Sequence, residues 1–199
     1  MQNELIQHLS KYVEVTSDLE EALKECAFIK QFSKNTLLLS EGQISNECFL
    51  IFKGCIRSYY NEDGEEVTTE FYTESQSVTP PSYGKNLPSK LNYECIEDTV
   101  VTVGTPSLET DLYHKYPQLE SLSRKLYDIF ISNYQEELFE YKHSSPEQRY
   151  LRLLENRPDL FQRAPLHQIA SYLGMKPESL SRIRKRLHLK SKKIDNPLS

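Results

Sequence analysis

The sequence predicts an α+β chain: a body of short antiparallel strands, then a long helix, then a small helical domain ending in a helix-turn-helix. Three observations predict it. Residues 27–104 break into short runs rich in β-branched and aromatic side chains, no Pro or Gly interrupts the stretch after Pro117 as far as His143, and residues 166–187 hold two helical patterns that meet at Gly174.

Composition sets the outer bounds. A chain of 199 residues holds one ordinary domain and a small second one. With 27% charged and 38% apolar residues it is neither a disordered tail nor a fibrous repeat. The first ten residues carry no basic segment followed by an apolar stretch, and no apolar run approaches membrane length, so a cytoplasmic protein with no membrane partner is expected. Cys26, Cys48, Cys55 and Cys95 lie far apart without CxxC spacing, which predicts reduced, buried thiols and no metal site. Charge is divided unevenly. Residues 1–142 carry 12 Lys+Arg against 24 Asp+Glu, whereas residues 143–199 carry 12 against 5. An acidic body repels polyanions and a compact basic segment attracts them, so the two parts have different partners.

The elements follow in order. Ser17-Asp18-Leu19-Glu20 fits a capping box ahead of Ala22, Leu23 and Cys26, so short helices open the chain. Runs at Thr36–Leu39, Cys48–Phe52, Cys55–Tyr60, Val67–Thr73 and Thr99–Val103 read as strands. Asp63-Gly64 supplies the positive φ of a tight antiparallel turn, and many such strands make a sandwich, roll or small barrel. Residues 75–92, with Pro80, Pro81, Gly84 and Pro88, read as a loop inside the β-body, where ligand pockets often lie. After Pro106 the period turns helical. Leu119, Leu122, Leu126, Ile129 and Asn133 follow a 3-4-3-4 spacing that suits a coiled-coil seam, or equally a stripe packed on the chain's own β-body. Phe130, Leu138, Phe139 and Tyr141 widen it, as on a helix with one side on the body and the other on a partner. Ser145-Pro146-Glu147-Gln148 restarts a helix with a second capping box, which puts the domain boundary near His143, and Pro158 and Pro165 bracket a connecting loop.

The last pair of helices carries the functional signal. Leu166, Ile169, Ala170 and Leu173 form the apolar side of the first, Gly174 ends it, and Pro177 starts the second. At ~100° per residue, Leu180, Ile183 and Leu187 cluster on one side of the second helix and Glu178, Ser181, Arg182 and Lys185 on the opposite one. One side packs and the other is free to enter a groove. Glu178 suits the amino group of cytosine and Arg182 the paired acceptors of guanine. Ser179, Arg184 and Arg186 flank that face and suit phosphates, while Lys176, at the cap position, offers a further cation to the backbone. From Arg182 to Lys193 there are seven cations and no acid, a concentration that an ordinary packed pair of helices has no need of.

Rival classes fare worse. His8, His114, His143, His167 and His188 are scattered, with no nucleophile or paired-carboxylate motif, so no catalytic residue and no enzyme is expected. A metal-binding cupin needs clustered histidines on its strands, and residues 9–113 contain none. The stronger rival is a ligand-binding or protein-interaction module whose basic tail touches acidic partners instead of DNA, and the salt dependence of duplex binding separates the two.

Taken together, Leu39-Ser40-Glu41-Gly42, Phe49 to Gly54, and Ile169-Ala170 to Leu173-Gly174 followed by Pro177 to Ile183 resemble the Crp/Fnr family of bacterial transcription regulators over nearly the full chain. That resemblance implies an N-terminal antiparallel β-roll of the cyclic-nucleotide-binding type (a double-stranded β-helix) over 1–115, a long dimerisation helix over 116–143, and a C-terminal winged-helix or helix-turn-helix DNA-binding domain over 144–199. It puts Pro177, Glu178, Ser181 and Arg182 at base edges and makes double-stranded DNA and a second copy of the chain the partners. RNA polymerase is a further partner where the regulator activates, whereas repression needs only occupancy. Any wing is short or falls around residues 158–165. Family members that bind cyclic AMP share a Gly-Glu pair for the ribose and an Arg followed by Ser or Thr for the cyclic phosphate; here residues 76–91 hold Ser77-Val78 and Pro80-Pro81, and Ser89-Lys90 stands where the Arg is expected. Weak or absent cyclic AMP binding is therefore expected, with Ser82, Tyr83, Ser89 and Lys90 as candidate pocket residues for another small-molecule effector. The family's iron–sulfur sensors use clustered N-terminal cysteines, and Cys26 stands alone, so no cofactor is expected.

Overall fold

The computed structural model describes residues 10, 16–18, 20, 21 and 29–195, with side chains as far as Leu189. Cys26, Leu19 and the apolar Ala22 and Leu23 of the expected opening helix lie outside the described residues, as do the side chains of Lys190, Lys192 and Lys193. Ser17, Asp18, Glu20 and Glu21 are helical, and the Glu20 N–H donates to the Thr16 carbonyl at 2.9 Å. The helix therefore starts one residue earlier than Ser17 suggests, with Thr16 at the cap.

Eight strands follow: β1 (Ile29–Phe32), β2 (Leu37–Leu39), β3 (Cys48–Lys53), β4 (Ile56–Glu62), β5 (Glu65–Tyr72), β6 (Ser77–Val78), β7 (Asn92–Cys95) and β8 (Thr99–Gly104). They form two four-stranded sheets, β1-β8-β3-β6 and β2-β7-β4-β5. Phe49 pairs with Val103 and Ile51 with Val101 across β3 and β8, and Ile56 pairs with Cys95 across β4 and β7, all antiparallel. The inner faces meet in one core of Leu39, Phe49, Ile51, Ile56, Val78, Tyr93, Cys95, Val101 and Val103. Asp63 (φ +52°) and Gly64 (φ +85°) make the tight turn between β4 and β5 that the Asp-Gly pair specifies. The expected loop at 75–92 contains the two-residue strand β6, ends on the first residue of β7, and between them is turns, bends and a bridge between Ile44 and Pro88.

Strand β3 reads as an unbroken apolar run because both of its faces are covered. Phe49 and Ile51 point into the core between the sheets, while Leu50 and Phe52 point the other way, against helices α1 (Pro106–Lys115) and α2 (Pro117–His143). Leu119 and Leu122 of α2 are buried against Phe52, and Leu126 packs at the edge of that cluster. The expected stripe then leaves the body: Ile129 and Asn133 are exposed. Beyond Leu126, Tyr127, Phe130, Ile131, Tyr134 and Leu138 form a second exposed apolar stripe turned around the helix from the first, and Phe139 and Tyr141 are exposed as well.

Four helices complete the chain: α3 (Pro146–Asn156), α4 (Leu160–Arg163), α5 (Leu166–Tyr172) and α6 (Pro177–Asp195). The capping box of α3 is fully formed. Ser145 Oγ accepts the Gln148 N–H at 3.3 Å, and the Gln148 side chain accepts the Ser145 N–H at 2.8 Å. Described residues after His143 contain no strand, and α4 occupies the stretch between Pro158 and Pro165, so a helix stands where a wing was expected. No described helix is long and apolar enough to cross a membrane. The chain divides into two compact units, one of the residues up to Tyr60 with Thr69–Glu137, the other of Asn61–Thr68 with Leu138–Ser199. Within the second, Ser171 Oγ of α5 accepts the Thr68 N–H at 2.9 Å and donates to the Glu66 carbonyl at 3.1 Å.

Candidate nucleic-acid interface

Helix α5 ends in a motif that turns the chain sharply into α6. The Met175 N–H donates to the Ala170 carbonyl at 3.0 Å and the Gly174 N–H to the Ser171 carbonyl at 2.9 Å, with Gly174 at φ +66°. This pair of bonds satisfies two of the free carbonyls at the helix end and requires a left-handed residue between them. The Lys176 carbonyl then accepts the Ser179 and Leu180 N–H groups at 2.9 and 3.2 Å, so α6 starts at Pro177, where a missing N–H costs nothing.

Anchoring of α6 follows from its apolar side. Leu180 and Ile183 are buried, as are Ile169, Ala170 and Leu173 of α5 and its cap and Leu160 of α4. On the far side Glu178, Ser181, Arg182 and Lys185 are all exposed, together with Lys176, Pro177, Arg184 and Arg186, and Ser179 is half-buried. The sequence-predicted residues thus share one accessible rim, with Arg184 on one flank and Ser179 and Arg186 on the other. Arg182 is held lightly by a hydrogen bond from its guanidinium to Ser179 Oγ at 3.2 Å. Such a rim can present a guanidinium fork and a carboxylate to base edges, with cations on both sides.

The flank carrying Arg186 borders a cleft of about 460 Å³ between the first turn of α3 and α6, lined by Ser145, Pro146, Glu147, Ser179, Arg182, Ile183 and Arg186. Arg186 is ion-paired there with Glu147. Sequence reasoning missed Glu147 because the pair joins residues 39 positions apart, beyond any local pattern. It also missed what Tyr141 does. A Cβ on Gly174 would collide with the Tyr141 hydroxyl, and the Arg149 guanidinium lies 4.5 Å over the Tyr141 ring. Ser171 was missed for the same reason as Glu147: its partners are backbone groups more than 100 residues away.

The candidate effector residues take separate positions. Ser82 is buried, its Oγ without a hydrogen-bond partner among the described residues. Tyr83 places its hydroxyl beside Cys48 and Glu109, and burial pushes its ionisation far up. Ser89 closes its own turn, donating to the Leu91 carbonyl at 2.6 Å and accepting the Leu91 N–H at 3.1 Å, and Lys90 faces solvent. Burial also pushes the Cys48 and Cys95 thiols up to about 11. Cys48, Cys55 and Cys95 form no disulfide among the described residues. Among the described residues no group of three or more His, Cys, Asp or Glu side chains has the arrangement of a metal site.

No family model matches the chain, and no curated protein matches it by sequence. Solved structures do match. FixK2 from Bradyrhizobium japonicum is similar with a TM-score of 0.64 at 18% identity, over 83% of this chain and 86% of that one. The c-di-GMP responsive global regulator CLP of Xanthomonas campestris gives 0.63 at 14% identity, over 86% and 91%. The catabolite activator protein of Thermus thermophilus gives 0.54 at 15% identity, over 90% and 87%. At these identities the likeness is one of fold, and the fold is that of the Crp/Fnr regulators, antiparallel sheets followed by a helical domain.

Proposed function

We propose that the chain is a transcription regulator of the Crp/Fnr type that binds a near-palindromic duplex site as a homodimer, laying α6 in the major groove. The observation that carries this reading is the rim of α6: Glu178, Ser181, Arg182 and Lys185 stand exposed together on a helix whose opposite side is anchored by Leu180 and Ile183. The setting supports the same reading, since acids outnumber cations 24 to 12 over residues 1–142 while cations outnumber acids 12 to 5 over residues 143–199, the part that holds α6. Homodimer formation is supported by the second stripe of α2, where Phe130 is 59% and Tyr134 55% exposed, a patch that a soluble chain ordinarily covers. In such a pair two α6 helices enter successive major grooves about 34–36 Å apart.

Selection of bound duplexes from a random pool tests DNA binding, symmetry and spacing together. Enriched sequences are expected to carry inverted half-sites one helical turn apart, and their affinity to fall about 10³–10⁵-fold between 50 and 200 mM salt if six to ten phosphates are engaged. A pool that shows no enrichment at low salt overturns the reading.

Cyclic AMP is not the proposed effector. Arg57 is the single arginine in residues 1–123, and it is buried with its guanidinium 3.0 Å from Glu94. An anionic cyclic phosphate in the roll would lack the guanidinium it needs. Calorimetric titration is expected to show no binding at micromolar cyclic AMP, and a micromolar dissociation constant would refute this.

A further inference from the structure

We infer that Glu147 is a built-in competitor for the DNA backbone, holding Arg186 in an ion pair that a phosphate must displace before the helical domain seats fully on a duplex. The inference rests on the regulator reading and adds an affinity-setting residue to it. On α6, Ser179 and Arg186 lie at i and i+7 and so share one flank of the rim, beside the base-facing Arg182 at i+3. That flank borders the cleft whose opposite wall is the first turn of α3, and among the described residues Glu147 is the one carboxylate lining it. When a recognition helix lies in the major groove its flanks face the two sugar-phosphate strands, so the Ser179–Arg186 flank is where one strand passes. Both members of the pair are reachable from solvent, Arg186 with 55% and Glu147 with 28% of its side chain exposed. Exposed pairs of this kind are weak and salt-sensitive, which makes exchange of a carboxylate for a phosphate feasible. The carboxylate therefore acts twice against binding: it neutralises Arg186 and it repels the incoming phosphate.

Duplex affinity of the full-length protein, measured by fluorescence anisotropy across a salt series on a sequence selected from the random pool, tests this with Glu147→Gln, Arg186→Gln and the double variant. Glu147→Gln is expected to bind about 5- to 10-fold tighter at 50 mM salt, with the log–log salt slope steeper by about one per protomer. Arg186→Gln is expected to bind more than 10-fold weaker, because the retained carboxylate then faces the phosphate alone. In the Arg186→Gln background the gain from Glu147→Gln should shrink to less than half. Unchanged or weaker binding by Glu147→Gln overturns the competitor role, as does an equal gain in both backgrounds, which would mark a general charge effect. Should Glu147→Gln fail to fold, a loss of less than 3-fold in Arg186→Gln overturns it instead. Absence of duplex binding by the unaltered protein is a different failure, since it removes the regulator reading itself.

Discussion

Gly174 answers to two constraints at once. Its φ of +66° is disfavoured for any residue with a Cβ, at about 1–2 kcal/mol, and that Cβ would also strike the Tyr141 hydroxyl. Gly174→Ala should therefore lower unfolding stability by about 2 kcal/mol or more in urea titrations, and pairing it with Tyr141→Ala should return the steric part only. A cost unchanged in that pair would mean that the hydroxyl gives way freely. Arg182 carries a different kind of prediction, because its side chain is exposed and held only by a light hydrogen bond to Ser179 on its own helix. Arg182→Ala should leave the thermal midpoint unchanged and relax choice at one base pair in each half-site, a loss of about 1–3 kcal/mol of discrimination. Selection with the variant protein reads this directly. Equal sharpness at every position would remove Arg182 from base contact.

On α2 the two stripes have the same period, and that is why the sequence alone left its partner open. Leu119, Leu122 and Leu126 turn to Phe52 of the β-body, whereas Tyr127, Phe130, Ile131, Tyr134 and Leu138 are exposed. An amphipathic pattern says that a face is covered and not by what. If a second copy covers the exposed stripe, Phe130→Glu should dissociate the pair in sedimentation experiments and lower duplex affinity by 100-fold or more, with the monomer fold intact by circular dichroism. A variant that still sediments as a dimer would move the interface elsewhere. The start of α3 was far easier to read. Ser145, Pro146 and Gln148 act within four residues, and both bonds of the capping box form as expected. The stretch from Pro158 to Pro165 went otherwise, since two prolines suit a loop, a wing or the ends of a short helix equally, and the burial of Leu160 favours the helix α4.

Over the whole molecule, stability should fall steeply at alkaline pH. Burial pushes Cys48 and Cys95 up to about 11 from 9.0, and Tyr72 up to about 12 from 10.0. In the unfolded chain these groups lose their protons at the lower values, so above pH 9 the unfolded state binds fewer protons and is favoured. Melting temperature should be flat from pH 7 to 8.5 on account of these groups and drop between pH 9 and 11, with Cys95 alone contributing up to about 1.4 kcal/mol per pH unit. Cys95→Ala should flatten that decline in part, and a decline unaltered in slope would mean the thiol is not a source of it. The same burial keeps the thiols protonated at neutral pH, which makes them poor nucleophiles.

Five of the eight described strands, the Asp63-Gly64 turn, the helix-turn-helix about Gly174 and the outward set Glu178, Ser181, Arg182 and Lys185 could be read from the sequence, because each depends on residues within a turn or two of one another, whereas β1, β6 and β7 are short and carry no such run of their own. Tertiary structure alone decided which half of α2 is covered, that Tyr141 stands against Gly174, that Ser171 bonds to Glu66 and Thr68, and that Glu147 holds Arg186. Local periodicity and φ preference act through the backbone of one element, whereas an ion pair or a steric stop between distant residues exists only once separate elements have packed.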